Sequence, residues 1–131
     1  MTKALFLFII LFAPSVFAED IQSRYSTMVQ TQASYQVFKT NYEKVLTDIE
    51  NYSAQMIQTQ NKADAYPLCV ALKSSAQMMV NNQKYKAEFN RDYQKSDASF
   101  DQVLMLYKEG NQQLKEKCEE AKSLYLQSLN K

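Results

Sequence analysis

The stretch Tyr35-Gln36-Val37-Phe38-Lys39-Thr40-Asn41-Tyr42-Glu43-Lys44-Val45-Leu46-Thr47-Asp48-Ile49-Glu50-Asn51-Tyr52-Ser53-Ala54-Gln55-Met56 decides how this chain folds. Tyr35, Tyr42, Ile49 and Met56 stand seven apart, and Phe38, Val45 and Tyr52 follow three residues after the first three of them. Alternating steps of three and four put all of these side chains on one face of an α-helix and give the a/d seam of a heptad repeat. Gln, Asn, Lys and Glu fill the positions between, as a solvated opposite face requires.

Read backwards, the same period reaches Met28 and Ile21. Read forwards, it meets no breaker before Pro67. The spacing therefore predicts one helix over about 20–62. Arg24 and Thr31 occupy the early d positions and weaken the seam there, so a break between Thr31 and Ser34 is the alternative.

Pro67 suits the first turn of a second helix, predicted over about 67–92 and burying Leu68, Leu72, Ala76, Met79 and Phe89. A third helix, about 97–129, keeps the period through Phe100, Tyr107, Leu114 and Ala121, with Leu104, Cys118 and Tyr125 four residues after three of them. Ser96 or Asp97 is placed to cap it. Gly110 falls just off this seam and reads as a tolerated helix residue costing up to about 1 kcal/mol, with a break there as the alternative.

Cys69 and Cys118 are the only cysteines. On one straight helix they would lie roughly 70 Å apart, so a bridge within the chain requires a reversal between them. For two antiparallel helices the reversal sits midway, between Tyr93 and Gln94, inside a polar stretch. A closed loop of about 50 residues stabilises a fold by about 4 kcal/mol in the chain-entropy account. A bridge between two copies, giving a homodimer, is the alternative pairing.

Folding the second helix back about position 64 sets Met79 level with Ile49, and folding about the second reversal sets Val80 level with Tyr107. The expected fold is all-α: an elongated antiparallel three-helix bundle with coiled-coil-like heptad packing and one disulfide. In that arrangement residues 20–34 project beyond the bundle by roughly 20 Å. Ile21, Tyr25, Met28 and Val29 then form an uncovered apolar stripe, a candidate partner-binding surface, unless the N-terminal part folds back.

The chain opens as an export signal does. Lys3 is followed by an apolar run from Ala4 to Ala13, Pro14, and then Ser15-Val16-Phe17-Ala18, with small residues where signal peptidase cleaves. The run is too short to span a hydrocarbon core of roughly 30 Å. The expected organisation is a cleaved leader over 1–18 and one helical domain over 19–131, periplasmic or secreted, where disulfides persist. Loss of the leader removes Lys3 and leaves the charges balanced, with no basic stripe for nucleic acid or an anionic membrane.

Composition narrows the chemistry. With no His and one Gly in 131 residues, His-dependent catalysis, His-ligated metals and Gly-rich phosphate loops are excluded. Asp97 with Asp101, and Glu116 with Glu119 and Glu120, have helical spacing, but Lys115, Lys117 and Lys122 interleave the latter group and make it a solvated face. The reading is not an enzyme, with no metal and no cofactor. The nine tyrosines suit a thin bundle whose hydroxyls reach the rim of the core. Asn51-Tyr52-Ser53 is a glycosylation sequon relevant only to a eukaryotic secretory pathway.

The expected function is a non-catalytic exported protein that binds a partner protein, as an accessory component of an envelope or secretion assembly or as a protein inhibitor. A periplasmic chaperone-like client binder and a small-ligand-binding bundle are the alternatives.

Overall fold

The Ser34 hydroxyl accepts a hydrogen bond from the Val37 amide at 3.3 Å, so the chain enters its longest helix at a conventional cap. This is seen in a computed structural model, which describes residues 21, 23–94 and 98–130. The expected leader over 1–18 and the expected caps Ser96 and Asp97 lie outside the described residues.

Helix α1 spans Tyr35–Thr59 and α2 spans Ala65–Asn81. Helix α3 covers Lys86–Asp92, α4 Phe100–Gln113 and α5 Lys115–Leu129. Single 3-10 turns at Lys62–Asp64 and Gln83–Tyr85 precede α2 and α3. Among the described residues the protein is all-helical, with these five helices and one disulfide.

Each predicted long helix is divided, and each division has a local cause. Helix α1 begins at Tyr35 because the residues before it turn back. It ends at Gln60, whose left-handed φ of 53° returns its amide to the Met56 carbonyl. The second helix stops at Asn82, whose side-chain Nδ2 donates to the Met78 carbonyl at 2.8 Å. A short amide that bonds one turn back competes with the helical ladder. The third is interrupted at Leu114, not at Gly110, although Cys118 still donates to the Leu114 carbonyl at 2.8 Å. Ser99 caps α4 in a reciprocal capping box with Gln102.

Helix α2 packs against α1, α4 and α5, and α5 also packs against the 62–64 turn. The aromatic core gathers around Phe38. Its ring centroid lies 5.9–6.4 Å from those of Tyr35, Tyr42, Tyr85, Phe89 and Phe100. Phe38, Met78, Met79 and Phe100 are fully buried. The heaviest packing thus sits toward the start of α1, where α3 and the start of α4 converge, rather than at the Val45 to Ile49 section expected from register.

Cys69 and Cys118 are joined within the chain, with Cα atoms 5.8 Å apart. The reversal they require falls between the end of α2 at Asn81 and the start of α4 at Phe100. No described helix is long and apolar enough to cross a membrane.

Candidate functional site

The stripe expected to project is turned inward. Tyr25 is 2% exposed and belongs to the core; Met28 and Val29 pack against it. Ile21 is half-buried. The displayed face on which partner binding was expected is therefore not displayed, because residues 23–32 fold back as a strap along α1 and the end of α2.

Two polar clusters hold the strap. At one end Arg24 reaches Asp48, with Nε 3.1 Å from Oδ2 and Nη2 3.0 Å from Oδ1. The Tyr25 hydroxyl donates to the same carboxylate at 2.7 Å. Asp48 sits one residue before a seam position and is 7% exposed, so its charge is stable there only with such partners. Burial foremost, then the bond to Asp48, pushes the Tyr25 phenol well above its ordinary pKa.

At the other end Asn82, with no exposed surface, accepts from the Gln32 amide at 2.8 Å and donates to the Gln30 carbonyl at 3.0 Å. Asn81 donates to the Val29 carbonyl at 2.6 Å, Thr31 to the Asn81 carbonyl at 2.9 Å, and the Tyr85 hydroxyl to the Gln32 carbonyl at 2.6 Å. The interruption at Asn82 thus supplies side chains that complete the backbone bonding of a segment lacking regular structure.

The tyrosines are likewise fasteners: none of the nine is exposed. Tyr35 donates to Asp92 at 2.8 Å and Tyr93 to Glu43 at 2.9 Å, tying α1 to the end of α3. Burial and then these carboxylates raise both phenol pKa values. The Tyr35 bond and then Lys39 hold the Asp92 carboxyl below its usual range.

Such groups are consumed by structure. Asp48 already accepts three hydrogen bonds. No buried side-chain polar atom among the described residues lacks a partner. Of the predicted acidic groups, Asp101 pairs with Lys86 and Glu120 with Lys62 at 3.1 Å; Glu116, Glu119 and Glu120 are all exposed, and Asp97 lies outside the described residues. No group of three His, Cys, Asp or Glu among the described residues is arranged to hold a metal. An open hollow of about 360 Å³ is lined by Asn90, Tyr93, Gln94, Ala98, Ser99 and Gln102, without a charged side chain.

Among the described residues, Val37, Ile57, Val80, Met105, Leu106 and Leu126 are large apolar side chains left exposed. Met105 and Leu106, adjacent on α4, are 52% and 62% exposed, and Val80 near the end of α2 is 40% exposed. The antiparallel pairing is fixed by Cys69 with Cys118 and by Asn111, which donates to the Leu72 carbonyl at 3.1 Å. Continued along the two helices, that register sets Val80 level with Met105 and Leu106. Neither protein-family models, curated proteins nor solved structures match this chain.

Sequence reasoning missed Asp48, Asn82 and the Met105–Leu106 face. Arg24 at a d position is the one signal that pointed to the clasp, since a cation on an apolar seam needs a buried anion. Met105 and Leu106 lie within an apolar run whose other members, Val103, Leu104 and Tyr107, belong to or pack against the core, which hides them in any hydropathy average.

Proposed function

We propose that this chain is a non-catalytic exported protein that binds a protein partner in the periplasm or cell exterior, as an accessory component of an envelope or secretion assembly or as an inhibitor of another protein. In this reading its helices act as an elongated antiparallel three-helix bundle with heptad-type packing, cleaved from a leader after Ala18. The binding face is the side of α4 carrying Met105 and Leu106, with Val80 at the same height.

The exposure of two adjacent large apolar residues carries the reading. Elsewhere the protein spends even its tyrosines and its buried acid on internal bonds. Contiguous apolar surface left in water is what marks a docking site, and Met105 and Leu106 are the adjacent pair from which such a surface is built here.

A photo-crosslinking residue introduced at position 102, beside the pair, tests this in the native envelope extract. A discrete crosslinked species is expected. It should be lost in a Met105→Glu, Leu106→Glu variant and retained in Ile57→Ser, which alters an apolar side chain 71% exposed elsewhere. Equal crosslinking by the glutamate variant, with its helical circular dichroism intact, refutes the assignment.

A further inference from the structure

Helix α5 is covalently tied but lightly buried. It places one residue, Ala121, fully inside, and none of its residues belongs to the core cluster around Phe38. Its ring contact is Tyr125 against Tyr66 at 5.1 Å. The Lys62–Glu120 bridge joins side chains 72% and 54% exposed, a solvent-screened pair that holds little. At its other end the helix is interrupted at Leu114.

The surface beneath α5 is different in character. Ala63, Tyr66 and Leu68 are 5%, 7% and 9% exposed, and α5 packs on both the 62–64 turn and α2, which carry them. Cys69 directly follows Leu68, and its bond to Cys118 sets α5 over this patch. Neither cysteine is fully buried. The clasp at Asp48, the strap bonds at Asn82 and the aromatic cluster involve α1 to α4 and no residue of α5.

We propose that Cys69–Cys118 is a redox latch on α5: reduction by an external dithiol releases α5 from the start of α2 and uncovers the Ala63, Tyr66 and Leu68 patch, while α1 to α4 stay folded. The dithiol's thiolate attacks one cystine sulfur, the S–S bond breaks, and the departing cysteine thiolate takes a proton. The second thiol then displaces the mixed disulfide. Two electrons pass to the protein, leaving two cysteine thiols and an oxidised dithiol.

Segment-resolved amide exchange on the oxidised protein, before and after treatment with dithiothreitol, tests the latch. Exchange across 115–129 is expected to rise about tenfold or more on reduction, with 35–59 and 65–81 unchanged. A Cys69→Ser, Cys118→Ser variant should show the same pattern without reductant. Unchanged protection of α5 in the reduced protein overturns the proposal, and so does simultaneous loss of protection in all helices. Exchange across 115–129 in the double-serine variant equal to that of the oxidised protein overturns it as well.

Discussion

Arg24 grips Asp48 from a distance of 24 residues in sequence, with paired hydrogen bonds of 3.1 and 3.0 Å. The two side chains differ in setting: Asp48 is 9% exposed and Arg24 39%. Removing the arginine therefore leaves a buried carboxylate with one hydroxyl partner, whereas removing the aspartate lets Arg24 turn to water.

This asymmetry predicts that Arg24→Ala destabilises the fold by about 2 kcal/mol, discounted for the exposed guanidinium. The double variant Arg24→Ala, Asp48→Asn should cost less than the two single changes added together. Urea unfolding of the four proteins checks it; strict additivity would show that the clasp contributes no coupling.

Asn82 joins the strap to the end of α2 through three side-chain hydrogen bonds to Gln30, Gln32 and Met78. Asn82→Ala leaves the Gln32 amide and the Gln30 carbonyl without this partner, at a cost of about 2 kcal/mol or more. Amide exchange should localise the first effect to 24–32, before α1 or α4 loosens. Protection of that segment equal to wild type counts against the assignment.

Gly110 and Gln60 are interchanged relative to what their backbones require. Nothing lies within 4 Å of a Cβ built on Gly110, and the residue sits inside α4 without a positive φ. Gln60, by contrast, carries a φ of 53°. Gly110→Ala should stabilise by about 0.5–1 kcal/mol through helix propensity. Gln60→Gly should add up to about 1 kcal/mol by relieving the left-handed conformation. Both should raise Tm, and a lowered Tm in either contradicts the local geometry.

The tyrosine fasteners set an alkaline limit. Burial, followed by bonds to Asp48, Asp92 and Glu43, raises the phenol pKa of Tyr25, Tyr35 and Tyr93, and burial followed by Tyr42 raises that of Tyr107, all above the ordinary 10.0. Above about pH 10 the unfolded chain loses these protons while the folded one keeps them. Their contribution is thus complete below that pH and lost as pH rises through the folded values. Tyrosinate absorbance should rise together with loss of helical circular dichroism. Smooth ionisation without unfolding would mean that the hydroxyls are not bonded as described.

The local rules were legible in residue order. The seven-residue period marks the buried face of α1 at Phe38, Tyr42 and Val45; Pro67 falls in the first turn of α2; and the cysteine spacing demands a reversal once the bridge closes within the chain. Each depends on residues a few positions apart or on a single covalent distance. Periodicity alone continues a helix until a breaker appears, so it carried the first one through residues 20–34.

Residue order determined that this protein is helical, which faces of its helices are apolar, and that a bridge within the chain requires a reversal between its cysteines. Tertiary structure alone decided that residues 23–32 turn back, that Asn82 interrupts a helix to hold them, and that Met105 and Leu106 face water. The reason is physical. Helical period is a property of neighbouring residues, whereas Asp48 becomes a buried anion only when Arg24 and Tyr25 arrive from another segment, and a face is exposed only if nothing else packs there.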